Sequence, residues 1–523
     1  MKKAVGAGVL VGASLLVLGV AIQVSQWGKP LSPRLHLLAA RDRNQDGVVD
    51  IWEYRAGEGE RVVLHDEDGD GRADRLRFLR GGEVVWEATR PTPVVWRADR
   101  VVMTPMRASA RHLVICLDGV PFEIMEALWR KGHFREFLPP ERVISPFPAD
   151  SDVALSALLH APPSPGYENR YFDRRANRVS GGVRVTFRQD LPYHDRLDYA
   201  FPGILRGPAY LFPEKAFFDD LARLRARFRA SSKRVFIAHL STADVLFHVR
   251  SPEQARRHLL AVEQVVRELL LENRGALAIT LLSDHGNTLT VVERVAVEDA
   301  LRAAGYRVEE RVRDERSVVI PGYGLIGAVA LYMRPEIVEE VCRVVRAVPG
   351  VDFCVFRERS AGVPVVIVEG QRGRARLRFD PVRKAFQYDV VRGDPLQLLP
   401  IWEKLREEGK AYPDGFISQA VLFEATVDHV YPDAVRRLYD AMAERQVENP
   451  ADLLLSLQDG YYFGSRRFDW FVRLRSTHGS LTARSSVGFI MTTDVRFARP
   501  LSAREVLPAS GIELDELSAP GAQ

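Results

Sequence analysis

Arg111-His-Leu-Val-Ile-Cys-Leu-Asp118-Gly119 is an almost unbroken apolar run that ends in a carboxylate and a glycine. Such a run reads as a strand covered on both faces, the pattern of a parallel sheet packed between helices. Phe122 to Arg130 follows with helical spacing, so Asp118 falls at the carboxyl end of its strand, where open α/β sheets gather their ligands. Two later stretches repeat the arrangement, Val235-Phe-Ile-Ala-His-Leu-Ser-Thr-Ala-Asp244 and Ala276-Leu-Ala-Ile-Thr-Leu-Leu-Ser-Asp284-His285-Gly286. Core packing gives no reason for three apolar strands to end in metal-ligand side chains. The expected fold class is α/β with a central, mostly parallel sheet.

At 523 residues the chain is long enough for one large core with an appendage. Its apolar content of 46% is ordinary, and a net charge of +4 with acids and bases interspersed does not mark a nucleic-acid protein. The Arg-rich stretch Leu221 to Arg234 has helical spacing and reads as a solvated helix face. Lys2 and Lys3 precede the uncharged apolar run Ala4 to Val24, which as a helix spans roughly 30 Å and could cross a bilayer. Residues 1–27 are therefore expected to form an uncleaved signal anchor, with the lysines cytoplasmic and the rest on the periplasmic or extracellular face. Secretion after signal cleavage is the alternative. Cys116 reads as a core residue, and the sequence leaves open whether Cys342 and Cys354 pair.

Residues 28–105 have a different character. Asp42, Asn44, Asp46, Asp50 and Glu53 fall at loop positions 1, 3, 5, 9 and 12 of an EF-hand calcium loop, with Val48 at the backbone-carbonyl position 7 and Gly47 at 6. Asp66, Asp68, Asp70, Arg72 and Asp74 repeat positions 1, 3, 5, 7 and 9, but Arg77 stands at position 12 and cannot supply the bidentate carboxylate. The flanks alternate apolar and polar residues around glycine turns, which predicts β-hairpins rather than the paired helices of an EF-hand. The expectation is a β-rich stalk that binds calcium structurally.

From about Met106 the motifs of the long α/β region, taken jointly and in order, resemble those of the alkaline phosphatase superfamily, within it the type I phosphodiesterase/nucleotide pyrophosphatase branch. Ile115-Cys-Leu-Asp118-Gly resembles the first metal-binding aspartate of that family, and Ser145-Pro-Phe-Pro-Ala-Asp-Ser151-Asp-Val-Ala its nucleophile segment. Glu168-Asn169-Arg-Tyr-Phe-Asp173 is similar to the element that offers an asparagine to a phosphoryl oxygen. Asp244-Val-Leu-Phe-His248, Ser283-Asp284-His285-Gly286 and Thr477-His478-Gly479-Ser480 match the remaining ligand steps.

The resemblance implies a three-layer sandwich over residues 106–523 with a smaller cap inserted at about 302–399. It implies one metal held by Asp244, His248 and His478, and another by Asp118, Asp284, His285 and Ser151. Ser151 would be the nucleophile and Asn169 its catalytic partner. In this sequence the residues after Ser151 depart from the proline and polar residue common in the family, and Ser156 is the alternative hydroxyl.

The implied chemistry suits the residue types. A phosphate ester repels nucleophiles, so charge neutralisation by two divalent ions carries much of the work. Mixed His and Asp ligands favour zinc, with manganese the second choice. The expected activity is hydrolysis of phosphoric esters through a phosphoseryl intermediate, leaning towards diesters or nucleotide pyrophosphates; a phosphomonoesterase or phosphonate hydrolase is the alternative. A sulfatase would need a C/S-x-P-x-R setting that Ser151-Asp-Val-Ala-Leu lacks. A calcium-stabilised surface binding protein on an inactive hydrolase scaffold would lack some ligands, and none of the expected ones is missing. His239 and His429 read as structural.

Overall fold

The computed structural model describes residues 36–101 and 111–513, apart from positions 44, 46, 48, 58, 68–74, 93, 94, 274–276, 291, 292, 359–363, 444 and 445. The expected anchor, residues 1–27, lies outside them; among the described residues no helix is long and apolar enough to cross a membrane.

The N-terminal segment forms a six-stranded antiparallel sheet in simple chain order, from His36–Arg41 to Val95–Val101. The flanks of both acidic loops are thus strands, as their alternation predicts: Val62 on Glu60–His65 stands opposite Phe78 on Arg75–Arg80, and both are buried.

The α/β region is built on two seven-stranded sheets. The first contains the Asp118 strand, Arg111–Leu117, between the parallel strands Val235–Leu240 and Leu277–Leu282. Tyr199–Ala200 extends it on one side. Val487–Thr492 runs antiparallel beside Leu277–Leu282, and Glu141–Ile144 and Leu501–Ser502 complete the other side. Period-two alternation divides the buried side chains between two layers. Leu113, Ile115 and Leu117 pack under the helices Phe122–Arg130, Pro213–Ala230 and Pro252–Glu272. Val114 and Cys116 face Leu155 and Leu158 of Ser151–Leu158, and Val506 and Leu507 of Val506–Ala509. Both faces being covered explains the near-continuous apolar run.

The second sheet is antiparallel throughout. It runs Ala328–Leu331, Leu453–Leu457, Val351–Arg357, Val366–Gly370, Gly373–Asp380, Ala385–Gly393, Ile417–Ser418. It draws on chain well past the 302–399 stretch, because Leu453–Leu457 returns to pair between Ala328–Leu331 and Val351–Arg357. Phe353 and Val355 enter one apolar cluster, Cys354 and Phe356 the cluster on the opposite face. Cys116, Cys342 and Cys354 are all free and buried; the Cys354 sulfur lies 3.9 Å from the Cys342 carbonyl oxygen.

Candidate functional site

The three apolar strands deliver their polar ends to one place. After Asp118 the chain turns through Gly119 in the left-handed region (φ 66°), and a Cβ there would lie 2.5 Å from Asp244 Oδ1. Glycine is what lets the two carboxylate-bearing segments approach. The Gly119 N–H donates to Asp284 Oδ1 at 3.2 Å, and the Val120 N–H to Ser283 Oγ at 2.9 Å, tying the first and third strand ends together. Gly286 is equally constrained, since a Cβ would sit 2.3 Å from the Arg484 carbonyl oxygen.

Two groups of potential ligand atoms result, Asp118, Asp284 and His285 in one and Asp244, His248 and His478 in the other, the atoms of each lying within 4.8 Å of one another. In the first, His285 Nε2 is 3.4 Å from Asp118 Oδ1 and 3.5 Å from Asp284 Oδ2. In the second, His248 Nε2 is 2.9 Å from Asp244 Oδ2, and His478 Nε2 is 3.8 Å from Asp244 Oδ1. The groups adjoin, with the His285 and His478 rings stacked at 3.9 Å between centroids.

The hydrogen-bond pattern tests whether these residues suit a cation. All three histidines place Nδ1 against a backbone carbonyl, which can only accept: His248 on Ser476 at 2.8 Å, His285 on Gly286 at 2.9 Å and His478 on Ala149 at 2.8 Å. Each ring therefore carries its proton on Nδ1 when neutral and turns the Nε2 lone pair inward, the orientation a metal ligand needs. Asp244 Oδ1 and Asp284 Oδ2 are buried without any hydrogen-bond partner. Carboxylate oxygens stranded in this way cost several kcal/mol unless a positive charge meets them. The donor set fits two divalent ions.

Electrostatics within the protein alone are correspondingly tense. Burial pushes Asp284 up to about 6 despite the opposing pull of His285. Burial would lower His285, but the carboxylates of Asp284, Asp118 and Asp244 raise it to about 10. His478 is pushed down to about 3 by burial and by the charge of His285. Burial works against Asp118 too, yet His239 and His285 hold it well below the usual carboxylate range.

Ser151 opens the helix Ser151–Leu158, whose N-cap Asp150 accepts from the Asp152 N–H. Its hydroxyl donates to Asp118 Oδ1 at 3.0 Å and lies 3.3 Å from His285 Nε2. Ser156 points elsewhere, donating to the Asp152 carbonyl and contacting Ser164 Oγ, so the alternative hydroxyl is not at the centre. Asn169 lines the same cavity as Ser151, Asp118, Asp244 and His478, and its carbonyl accepts from the Gly182 N–H at 2.8 Å.

Sequence reasoning missed His239. It is buried in the interior of Val235–Leu240, and its Nε2 is 3.0 Å from Asp118 Oδ2, so it orients a candidate ligand rather than filling the core. The available signal was a lone imidazole inside an otherwise apolar strand. Arg206 was missed as well; it comes from the short helix Gly203–Ala209 and lines the cavity.

The acidic loops are organised differently. Asp42 accepts from the N–H groups of Gln45 and Gly47 at 2.6 and 2.8 Å, and Asp50 from that of Arg43 at 2.5 Å. Glu53 pairs with Arg61 at 2.7 Å and Arg41 at 3.5 Å. Asp66 is buried. The expected ligands Asn44, Asp46, Val48, Asp68, Asp70, Arg72 and Asp74 lie outside the described residues.

No protein-family model matches the chain, and neither does any curated protein. Among solved structures it is similar to phosphonoacetate hydrolase from Sinorhizobium meliloti 1021 in complex with phosphonoacetate, at 12% identity and a TM-score of 0.41. It is also similar to human ectonucleotide pyrophosphatase/phosphodiesterase 5 at 9% identity and a TM-score of 0.42, and to the murine protein in complex with AMP at 11% and 0.42. Each match covers 79% of this chain and 96% of the other.

Proposed function

We propose that the chain is a metal-dependent phosphoric ester hydrolase with Ser151 as nucleophile. The observation that carries this reading is the pair of buried ligand groups beside the Ser151 hydroxyl, each with one carboxylate oxygen left without a partner. Asp118, Asp284 and His285, with Ser151, would hold one ion, and Asp244, His248 and His478 the other. Zinc suits this mixture of imidazole and carboxylate donors best, and manganese second. When bound, the ions would neutralise the anionic ester and make the serine hydroxyl more acidic.

The chain's own residues do the rest. Asp118 and His285 fix the Ser151 oxygen at the start of its helix, where the helix dipole favours developing negative charge. Oγ attacks phosphorus, the bond to the leaving oxygen breaks with its electron pair, and the hydroxyl proton passes to solvent. Water then attacks the phosphorus bound to Ser151, the bond to Oγ breaks and Oγ regains a proton, releasing a phosphate monoester from a diester substrate or phosphate from a monoester. Asn169 is assigned a hydrogen bond to a non-bridging oxygen in the transition state.

Substrate choice leans towards phosphodiesters or nucleotide pyrophosphates. The cavity has about 490 Å³, and Val183, Tyr210, Val245 and Leu474 give it apolar walls that leave room for a second substituent. We propose further that residues 1–27, with Lys2 and Lys3 before the apolar run Ala4 to Val24, anchor the chain in a membrane with the hydrolase outside the cytoplasm, and that calcium orders the loops beginning at Asp42 and Asp66.

The purified chain loaded with zinc should hydrolyse p-nitrophenyl phosphate esters, with diesters preferred over the monoester. No turnover of mono- or diesters with zinc or manganese would end this reading.

A further inference from the structure

Arg206 is the cation in the active-site cavity that the proposed chemistry does not use. Its Nε and one terminal nitrogen are buried with no hydrogen-bond partner, although the side chain lines the same cavity as Ser151, Asn169 and Asp244. A guanidinium has five N–H donors in a fixed fork and never loses its charge in a protein, so leaving two buried nitrogens unbonded is costly. Other arginines find partners at short range, carboxylates for Arg250 with Glu214 and Arg383 with Asp414, and backbone carbonyls for the buried Arg437 with Pro432 and Leu481.

Asp152, whose carboxyl feels the Arg206 charge, accepts its hydrogen bond from the Tyr193 hydroxyl instead, at 2.9 Å. The neighbouring walls offer aromatic and aliphatic surface from Tyr210, Tyr323 and Val183; the Tyr323 hydroxyl is within 3.0 Å of Thr186 Oγ1. Two guanidinium nitrogens of Arg206 thus have no hydrogen-bond partner, and the residue lines the cavity.

We propose that Arg206 is a specificity-determining residue that takes a second anionic group of the substrate, a carboxylate or a further phosphoryl group close to the phosphorus that Ser151 attacks. The inference rests on the hydrolase reading and narrows it: the favoured substrates carry a second negative charge beside the scissile group, and simple diesters with neutral substituents are poorer. A guanidinium meets a carboxylate or phosphate through paired N–H donors, which accounts for an arginine at this place rather than a lysine.

Two diesters with the same leaving group and similar shape separate the possibilities in the full-length, metal-loaded protein: p-nitrophenyl carboxymethyl phosphate and p-nitrophenyl isobutyl phosphate. The wild type should favour the carboxymethyl ester in kcat/KM by roughly 10- to 100-fold, the range of a hydrogen-bonded charge. Arg206→Gln should erase most of that preference, chiefly through KM, and Arg206→Lys should keep part of it. Because the ratio is read on one preparation, partial misfolding of a variant cancels. A ratio unchanged by Arg206→Gln overturns the inference, while the hydrolase reading stands if Ser151→Ala abolishes turnover of both esters. A wild type that turns over neither ester overturns the inference, and one that also fails on p-nitrophenyl phosphate overturns the hydrolase reading with it.

Discussion

The acidic loops near the N-terminus and the carboxylates at the strand ends are both dense in aspartate, yet the fold treats them differently. Asp42, Asp50 and Glu53 find backbone N–H groups or arginines close by. Asp244 and Asp284 are buried and each keeps an oxygen with no partner. Acid-rich sequence is thus a weak sign of a cation by itself, because a loop can satisfy carboxylates locally. Burial with an unmet oxygen is the stronger sign, since water no longer compensates.

Of the variants that bear on this contrast, one at Ser151 should lose the most. Ser151→Ala should lower hydrolysis by about 10³-fold or more, the scale of losing a nucleophile that acts as one unit with its partners. Single-turnover assays with an aryl diester check this, and the variant should keep its bound metal. Retained wild-type rates would move the nucleophile elsewhere.

The next largest effect belongs to His239. It holds the Asp118 carboxylate, a candidate ligand, so His239→Ala should weaken metal affinity by roughly 10- to 100-fold, as loss of a group that orients a ligand does. Competition with a zinc-binding dye measures this, and unchanged affinity would return His239 to a core role.

The N-terminal loops give the third. If Glu53 is the bidentate calcium ligand, Glu53→Ala should expose residues 42–74 to protease in millimolar calcium while hydrolysis stays at the wild-type rate. Equal protection in variant and wild type, with and without calcium, would leave these loops as self-satisfied turns.

Glu168 gives the smallest. Burial raises it to about 7 although the Gly324 and Tyr323 N–H groups donate to it. The folded state therefore binds more protons than the unfolded one between about pH 4.5 and 7, so this group's stabilisation is present in acid and lost as pH rises through 7. Glu168→Gln should flatten that slope, with at most about 3 kcal/mol at stake. Urea denaturation at pH 5 and 8 reads the effect, and parallel slopes for both proteins would contradict it.

The legible parts of the site were those announced by chain-local contrast. Asp118, Asp284 and His285 stand where apolar runs stop, and the fold brings them together as that contrast suggests. His239 was misread because its role depends on strand register: it lies beside Cys116, one strand over, and so reaches the carboxylate two residues further along the neighbouring strand. Arg206 sits on a short helix between Pro202 and Pro208 with no periodic signal. The extent of the second sheet was hidden for a similar reason, since Leu453–Leu457 pairs with strands about a hundred residues earlier and no local pattern records that return.

Whether the two buried carboxylate groups hold ions that hydrolysis requires is decided by counting bound metal alongside activity. Elemental analysis of the purified wild type should find two divalent ions per chain, chiefly zinc. Asp284→Asn and Asp244→Asn should each lose one of them along with ester hydrolysis. A wild type that hydrolyses esters with no bound metal, or an Asp284→Asn variant that keeps both ions and full activity, would contradict it.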